Sequence, residues 1–459
     1  MKRIFLIGVL LATRLLGANA DVDPNFYIYI CFGQSNMEGN AQPESIDKSG
    51  VNKRFRLLAT CNFSNPSRTK GNWYQATPPL VSPNGGLGPT DYFGRMMCEN
   101  LPDSIRIGVI PVAMGGSPIE MFDKDKYQQK MQQNPNEWWA TLAKNHYGGN
   151  PYGRIIEMAK KGQQAGVIKG ILLHQGCSNN GDPNWPNMVK KIYNDMLTDL
   201  GLGADSVPLF VGETLYENQG GSCYAHNTQV ARMPTVVKTS HVISSDGCPG
   251  NGVDPWHFSA LGYRMLGSRY AAEGLYTLGV QYPYFSFHNY DFIANKNCSF
   301  TESSRTMTVK STGAGLCTWT YPHFADWSTY KYLVVKLKEQ QNIGAEIMLY
   351  GKNKNVAYRD TINDRTTVVI DLHNLKYGKT VMDPSMVYKM SLRAPKAGKI
   401  VIDDVFLSND EQEDTAIRNL ESPSTPFRAP LYSLDGRLAN PGALKPGIYI
   451  RDGKKVVVK

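Results

Sequence analysis

Residues 26–37 read Phe26-Tyr27-Ile28-Tyr29-Ile30-Cys31-Phe32-Gly33-Gln34-Ser35-Asn36-Met37. The uninterrupted apolar run from Phe26 to Phe32 predicts a strand buried on both faces of a parallel sheet. The glycine-containing turn that follows would display Ser35 just past the strand, where a nucleophile is commonly presented. A serine in such a turn can equally cap a helix. The segment is not a G-x-S-x-G elbow, because Met37 holds the last position.

Strand and helix patterns alternate outward from this segment, over residues 21–283. Thr90 and Ser259 are candidate helix caps. Alternating strands and helices predict an α/β domain with a parallel sheet between two helical layers. Sites in such domains form at the carboxyl ends of the strands. Further strands are predicted at 105–112, 167–173, 208–211 and 241–244, with helical spacing at 153–165 and 187–200.

The pattern changes over residues 284–410, where short β-type runs dominate and turn residues separate them. These runs predict a β-sandwich. Residues 411–424 are polar and acidic with Ser and Pro, which indicates a linker. Residues 425–459 contain two Asp-Gly hairpin signals and predict a small β tail. The predicted sandwich strands lie at 307–310, 332–337, 346–350, 366–372 and 399–406.

The composition restricts the class of protein. The chain has 459 residues, of which 41% are hydrophobic and 19% charged, so it can bury sizeable cores. The formal charge of +9 is concentrated near the two ends, since Lys2, Arg3 and Arg14 supply three positive charges and residues 425–459 a net five. The middle of the chain is nearly neutral, so we expect no nucleic-acid partner. No apolar run reaches the ~18 residues of a membrane-spanning helix, so we expect no integral membrane span.

Residues 1–20 have the features of a secretory signal peptide. Lys2 and Arg3 precede an apolar run, and Ala18-Asn19-Ala20 is a small-x-small cleavage site. Export makes disulfides possible among the eight cysteines. Cys223 with Cys248 and Cys298 with Cys317 are neighbours in sequence, although spacing does not determine pairing. The chain has no CxxC or HExxH motif, so we predict no metal and no cofactor.

Polar segments that could complete a site with Ser35 follow other predicted strands. Serine needs a base as a nucleophile, and the base needs an orienting carboxylate. Asp254-Pro255-Trp256-His257 contains both groups just before the last predicted helix. Ala113-Met114-Gly115-Gly116-Ser117 could bring a backbone N–H to an oxyanion. His174-Gln175-Gly176-Cys177-Ser178-Asn179 could add a side-chain amide donor. Each segment alone is also compatible with ordinary turn chemistry, but coincidence is improbable for all of them together.

In combination these segments resemble the sequence blocks of the SGNH esterases. The blocks are Gly33-Gln34-Ser35-Asn36-Met37, Gly115-Gly116-Ser117, His174-Gln175-Gly176 and Asp254-x-x-His257. They are most similar to the sialate O-acetylesterase-like branch, which includes the carbohydrate esterase family 6 acetylxylan esterases. Gly86-Leu87-Gly88-Pro89 also looks like a segment of that branch. The resemblance covers residues 21–283 and implies a flavodoxin-like three-layer α/β/α fold with metal-free ester hydrolysis.

The resemblance also implies a role for each matching residue. Ser35 would be the nucleophile, His257 the general base and Asp254 the residue that orients it. The oxyanion donors would be the N–H groups of Ser35 and Gly116 and the side chain of Gln175, with Gly115 and Asn179 as second choices. Family members commonly carry Glu after His-Gln-Gly, where this chain has Cys177. Cys177 could be a buried small residue, a disulfide partner or a rival nucleophile.

Aromatic residues suggest a sugar substrate. Trp256, between Asp254 and His257, is the tryptophan that we expect to bind substrate. The resemblance implies an acetylated plant polysaccharide such as xylan, with an O-acetylated sialic acid as the nearest enzymatic alternative. A non-catalytic carbohydrate-binding surface protein and a lipase or thioesterase are alternatives of other classes. The tryptophans of the first predicted domain are Trp73, Trp138, Trp139, Trp185 and Trp256.

The C-terminal regions carry weaker resemblances. Residues 284–410 look like the jelly-roll modules of carbohydrate-active enzymes, in which Trp319, Trp327, Tyr330 and Tyr332 could form a binding platform, although a sandwich without ligand is equally expected. The tail is similar to the sorting domains of type IX secretion substrates, on the pieces 435–437 and 447–459. That similarity implies secretion machinery as a partner and an extracellular or cell-surface location, with the periplasm as the alternative.

Overall fold

The computed structural model describes residues 22–280 and 285–410 and the backbone of residues 432–433, 447–451 and 454–458. The predicted signal peptide and the predicted linker lie outside these residues. The chain divides into two compact units between Ala271 and Ala272. This division falls inside the last long helix, whereas the predicted boundary at residue 283 lies beyond the end of that helix.

The first unit contains a seven-stranded sheet in the order β3-β2-β4-β1-β5-β6-β7. Strands β2, β4, β1, β5, β6 and β7 are parallel to one another, and β3 is antiparallel to β2. Strands β4, β1, β5, β6 and β7 follow one another in the chain-sequence order 2-1-3-4-5, which is the flavodoxin-like order, and β2 extends the parallel sheet beside β4. The strands are β1 (Phe26–Gly33), β2 (Phe55–Leu58), β3 (Trp73–Gln75), β4 (Arg106–Ala113), β5 (Val167–His174), β6 (Leu209–Gly212) and β7 (Ser240–Ile243).

Helices of the first unit alternate with these strands. Ser259 caps the last of them as predicted, since its Oγ accepts the Gly262 N–H at 3.1 Å. The prediction for Thr90 is wrong: the helix begins at Pro89 with Gly88 as its N-cap, so Thr90 lies within the first turn. The helices are α1 (Ser35–Glu38), α2 (Ser45–Lys48), α3 (Pro89–Asn100), α4 (Tyr127–Gln133), α5 (Trp138–Tyr147), α6 (Pro151–Gln163), α7 (Trp185–Asp199), α8 (Asn227–Val230), α9 (Met233–Val236) and α10 (Ala260–Thr277).

Strand β1 shows why the sheet has helices on both faces. Ile28 and Ile30 belong to a buried cluster that includes residues of α5, α6 and α7. Successive side chains of a strand point to opposite faces, and Tyr29 instead meets Phe93 of α3, with ring centroids 4.7 Å apart. Both faces of β1 are therefore covered, as its continuous apolar sequence predicts.

The second unit contains two five-stranded antiparallel sheets, in the orders β15-β12-β19-β10-β9 and β14-β13-β18-β11-β8. Leu333 and Val335 from the first sheet and Ile347 and Leu349 from the second belong to one buried cluster, as the sandwich prediction requires. The strands are β8 (Ile293–Ala294), β9 (Cys298–Thr301), β10 (Thr306–Val309), β11 (Gly315–Ala325), β12 (Tyr332–Leu337), β13 (Glu346–Tyr350), β14 (Val356–Thr361), β15 (Thr367–Asp371), β16 (Lys376–Tyr377), β17 (Thr380–Val381), β18 (Val387–Ala394) and β19 (Gly398–Ser408).

The tryptophans of the second unit do not form the binding platform that the sequence suggested. Trp319 and Trp327 are buried in the core of the sandwich, so they are not part of a surface platform.

In the tail, β20 (Tyr432–Ser433), β21 (Gly447–Arg451) and β22 (Lys454–Val458) form a three-stranded antiparallel sheet. Across the described residues, no helix combines the length and the apolar character that a membrane crossing requires.

Candidate active site

Ser35 lies at the carboxyl end of β1, between the ends of β4 and β5. Gly33 makes this position possible, because a Cβ there would overlap the carbonyl oxygen of His174 on the neighbouring strand. The chain then turns into α1, of which Ser35 is the first residue. The N–H of a first helical residue has no acceptor within the helix. The Ser35 N–H therefore remains available beside its own hydroxyl group.

His257 and Asp254 reach Ser35 from the loop before α10. His257 Nε2 lies 2.8 Å from Ser35 Oγ, and His257 Nδ1 lies 2.9 Å from Asp254 Oδ2. Residues 222 positions apart in sequence are thus joined in one hydrogen-bonded chain. All three side chains are partly accessible to solvent. The structure brings together the three residues that the sequence singled out as a possible triad.

The loop itself is organised around the Asp254 carboxylate. Asp254 Oδ1 accepts the backbone N–H groups of Trp256 at 2.9 Å and His257 at 3.0 Å. Asp254 Oδ2 accepts the Asn251 side chain at 3.0 Å in addition to His257 Nδ1. Partial burial acts to raise the pKa of Asp254, but the hydrogen bonds from His257, Asn251 and the Trp256 N–H outweigh it and lower the pKa to about 2. The carboxylate is therefore ionised at neutral pH and can only accept, so the proton between it and His257 belongs to Nδ1.

The two residues that flank Ser35 hold neighbouring loops in place. Gln34 Oε1 accepts the N–H groups of Gly176 at 3.0 Å and Ser178 at 3.3 Å, which fixes the loop after β5. Asn36 Nδ2 donates to the Trp256 carbonyl at 3.0 Å, and Asn36 Oδ1 accepts the Tyr263 hydroxyl at 2.7 Å. Both flanking side chains are buried. The block 34–36 thus connects the nucleophile position, the loop after β5 and the loop that carries His257.

The glycine loop after β4 forms another wall of the site. A methyl group added at Gly115 would lie 3.8 Å from Ser35 Cβ. The Gly115 N–H donates to the buried Glu38 carboxylate at 2.7 Å, so it is not available to a ligand. Gly116 has a φ of +77°, a left-handed conformation that favours glycine. Within the described part of the chain, the Gly116 N–H makes no hydrogen bond, which leaves it as a donor in this loop.

Gln175 does not occupy the position that the sequence predicted for it. Its side chain is fully buried, and its Nε2 donates to Asn179 Oδ1 at 2.7 Å and to the Ser117 carbonyl at 3.3 Å. Trp185 Nε1 donates to Gln175 Oε1 and so fixes the orientation of the amide. Because both amide hydrogens are used internally, Gln175 is not available as the third oxyanion donor. The side chain instead fastens the loop after β5 to the loop after β4.

The second-choice donor Asn179 is partly engaged. Its Oδ1 accepts the Ile119 N–H at 2.9 Å as well as the Gln175 amide, and its Nδ2 donates to Glu120 at 3.1 Å. Of the predicted donors, the Ser35 and Gly116 N–H groups make no hydrogen bond to the described residues, and one of the two Asn179 Nδ2 hydrogens also has no acceptor among them.

Cys177 lies close to a second cysteine. All eight cysteines are free thiols, so neither sequence-local disulfide is formed. Cys298 Sγ and Cys317 Sγ are 3.9 Å apart, whereas Cys223 lies beside Cys177, with its Sγ 4.0 Å from the Cys177 carbonyl oxygen. A hydrogen bond with the Cys223 thiol, together with burial, raises the pKa of Cys177. Since the thiolate is the nucleophilic form, these surroundings disfavour Cys177 as a rival to Ser35.

The tryptophans of this unit divide into two groups. Trp139 and Trp185 are buried in the core, and Trp73 packs against Phe26, so these rings serve packing. Trp138 and Trp256 are exposed. The Trp256 ring stands at 74° to the His257 ring, with centroids 6.4 Å apart. The position predicted for a substrate contact is therefore open to solvent beside the site.

Sequence patterns alone did not assign roles to Gln34, Asn36 or Glu38. The first two lie inside the Gly-Gln-Ser-Asn-Met block, so their presence in that block was a signal that they have a specific task. Glu38 and its partner Ser82, 2.6 Å apart, gave no signal, because they are distant in sequence and neither belongs to a recognisable motif.

Fold and site together define a class: α/β proteins that carry a hydrogen-bonded Ser–His–Asp chain at the carboxyl edge of a parallel sheet. Residues 25–275 match the family described as "Carbohydrate esterase, sialic acid-specific acetylesterase". The match covers more than half of the chain, and the chain belongs to this family. Family membership supports an esterase that acts on carbohydrate.

Several solved structures are similar to parts of the chain. A protein from Arabidopsis thaliana is 20% identical over 55% of this chain and 98% of its own, with a TM-score of 0.42. A carbohydrate acetylesterase from Xanthomonas citri is 14% identical over 84% of this chain and 80% of its own, with a TM-score of 0.40. NanS is 15% identical over 56% of this chain and 99% of its own, with a TM-score of 0.42. Similarity at this level carries no information about the substrate.

Proposed function

We propose that this protein is a serine esterase that removes O-acetyl groups from acetylated carbohydrate. The observation that carries the proposal is the continuous contact from Ser35 Oγ to His257 Nε2 at 2.8 Å and from His257 Nδ1 to Asp254 Oδ2 at 2.9 Å. A serine hydroxyl becomes a useful nucleophile when a neutral imidazole can take its proton. The ionised Asp254 supports that arrangement, because it keeps the proton of the imidazole on Nδ1 and leaves Nε2 free to accept.

In the proposed reaction, His257 takes the Ser35 proton while Ser35 Oγ attacks the acetyl carbonyl carbon. The resulting oxyanion accepts hydrogen bonds from the Ser35 and Gly116 N–H groups. His257 then gives the proton to the departing sugar oxygen. The sugar leaves as an alcohol, and the acetyl group stays on Ser35 as an acetyl-enzyme. Water attacks this ester with His257 again as base, and acetate is released. Loss of one such donor typically costs ~10²–10³-fold in kcat.

For the carbohydrate, we propose an acetylated plant polysaccharide such as xylan, with Trp256 in contact with a sugar ring. The exposed indole next to His257 supports this placement, because the leaving sugar must lie near the residue that protonates it. An O-acetylated sialic acid is the second candidate, and the description of the matching family favours it.

The first experiment measures acetate release by the purified protein and by Ser35→Ala. Acetylated xylan, an O-acetylated sialic acid and an aryl acetate serve as the three substrates. Ser49→Ala, at an exposed serine, is the matched control. We expect activity of the wild type and of the control on xylan and the aryl ester, and a loss of at least ~10⁴-fold in Ser35→Ala.

Each other outcome has a distinct meaning. Release from the sialic acid ester but not from xylan would reassign the substrate and keep the mechanism. Activity that persists in Ser35→Ala would contradict the role of Ser35. A folded wild-type protein that is inactive on every ester would contradict the enzyme and favour a carbohydrate-binding protein.

We also propose that the protein is exported, with residues 1–20 removed and residues 425–459 read by a secretion machinery. The basic start, apolar run and small-residue site of the leader support export. Expression in the native host followed by cell fractionation and N-terminal peptide analysis tests this proposal. A product that begins at Asp21 in the medium or on the cell surface is expected. A cytoplasmic product that retains residues 1–20 would contradict it, and normal release of a chain without 425–459 would contradict the role of the tail.

A further inference from the structure

Two tryptophans near Ser35 have unusually open side chains. Trp138 is 58% exposed and Trp256 is 47% exposed, whereas Trp139, next to Trp138 in sequence, is only 6% exposed. Large aromatic side chains are highly buried on average. The two open indoles are therefore accessible to a ligand bound beside Ser35.

Trp138 lies on the side of the glycine loop. A methyl group at Gly115 would be 3.7 Å from Trp138 Nε1 and 3.8 Å from Ser35 Cβ, so the indole and the serine border the same small space. The ring is held firmly at its base. Trp138 is the first residue of α5, and the following Trp139 is anchored in the core beside Gly116.

Trp256 lies on the side of the triad loop. The backbone N–H of Trp256 donates to Asp254, and its backbone carbonyl oxygen accepts from the Asn36 side chain. Each ring therefore projects from a backbone that is held in place, and the loop that carries Trp256 also carries His257, which contacts Ser35. An indole side chain has only two rotatable bonds, so each ring loses little conformational entropy when it binds a ligand.

We propose that Trp138 and Trp256 form two sugar subsites, one on each side of Ser35, and that Trp138 makes the enzyme selective for a glycan chain over a single sugar. The proposal rests on the esterase function proposed above. The C–H-rich face of a pyranose ring is apolar and stacks on an indole, while the polar edge of the indole remains free to bond. Within the described residues, Trp138 Nε1–H has no protein acceptor and is available for a sugar hydroxyl. A monosaccharide ester next to His257 would occupy the Trp256 subsite alone.

The test compares Trp138→Ala with the wild type on an acetylated xylo-oligosaccharide, an acetylated methyl xyloside and an aryl acetate. We expect the kcat/KM ratio of the oligosaccharide to the aryl ester to fall about tenfold in Trp138→Ala, mainly through KM. The ratio of the monosaccharide to the aryl ester should stay the same. Trp138→Phe should recover part of the loss because a ring remains. Phe324→Ala, at an exposed aromatic residue of the second unit, is the control and should change neither ratio.

The outcomes separate this inference from the proposed function. An active wild type whose ratios are the same in Trp138→Ala would overturn the subsite. Equal losses on the oligosaccharide and the monosaccharide would overturn the selectivity for a chain. A wild type that cleaves only the aryl ester would overturn the carbohydrate function itself, and the subsite with it. As a second readout, unacetylated xylo-oligosaccharide should inhibit aryl acetate hydrolysis, with an inhibition constant about tenfold weaker in Trp138→Ala.

Discussion

Asp254 performs two tasks with its two carboxylate oxygens. Oδ1 accepts the N–H groups of Trp256 and His257 and so builds the turn, while Oδ2 accepts His257 Nδ1 and orients the imidazole. The spacing Asp-x-x-His therefore does more than place two residues close together. The aspartate shapes the backbone that delivers the histidine to Ser35.

Replacing Asp254 by Asn separates these two tasks. Asn Oδ1 can still accept the backbone N–H groups, so we expect the turn to persist. The amide NH₂ in place of Oδ2 favours the tautomer with the proton on Nε2, which cannot accept from Ser35. We expect kcat to fall by ~10³–10⁴-fold with an unchanged circular dichroism spectrum. A loss of less than tenfold would contradict the assignment of Asp254.

The same variant tests the lowered pKa of Asp254 through stability. The pKa falls from an ordinary 3.8 to about 2 in the folded protein, so the unfolded chain takes up the proton first as the pH drops. The contribution of the carboxylate to stability is therefore present above about pH 4 and is lost as the pH falls towards about 2. Urea unfolding from pH 6 to pH 3 measures the free energy of unfolding of the wild type and of Asp254→Asn. We expect the difference between the two free energies to narrow below pH 4. A difference that stays constant over this pH range would contradict the lowered pKa of Asp254.

At the scale of elements, three consecutive residues after β1 connect the loops that form the site. Gln34 holds the loop after β5, Ser35 meets His257, and Asn36 holds the Trp256 carbonyl. A site made of separate strand ends keeps its geometry only if those ends are fastened to one another. These hydrogen bonds give Gln34 and Asn36, on the two sides of Ser35, a structural role in the site.

Removing the Asn36 link should therefore impair catalysis more than binding. In Asn36→Ala the loop at Trp256 loses its anchor, and a displacement of about 1 Å at His257 can cost ~10²-fold. We expect kcat for aryl acetate to fall by about 10–10²-fold with a smaller change in KM. Tyr263→Phe, which removes the other partner of Asn36 but retains the link to Trp256, is the matched control and should keep most of kcat. Equal kcat values in wild type and Asn36→Ala would contradict the link.

The sequence predicted the central strands and the contact between Ser35, Asp254 and His257 because those features follow from continuous apolar runs and short motifs. Strands β2 and β3 were not predicted, since each is short; β3 forms one edge of the sheet and β2 lies next to it. The role of Gln175 could not be predicted from the sequence either. Its orientation depends on Trp185 and Asn179, and such packing partners cannot be deduced from a local motif.

For the molecule as a whole, all residues of the proposed site lie in the first compact unit. Ser35, Gly116, Asp254 and His257 precede the division at Ala271, and the family match ends at residue 275. The β-rich unit has a core of its own. The proposed chemistry therefore needs no residue of the second unit.

This separation predicts the behaviour of a shortened chain. Residues 21–283 expressed alone should fold and hydrolyse aryl acetate with the kcat/KM of the full chain, because a domain with its own core can fold independently. Activity and thermal unfolding of the two proteins measure this. A folded fragment without activity would show that the second unit contributes to the site.

The most direct test of the central claim is to trap the acetyl-enzyme. The protein is mixed with an excess of aryl acetate, quenched in acid within the first turnovers and analysed by peptide mass spectrometry. Our account predicts one acetyl group on Ser35 in the wild type and none at that position in Ser35→Ala. A turning-over enzyme with its acetyl group on another residue, such as Cys177, would contradict the account.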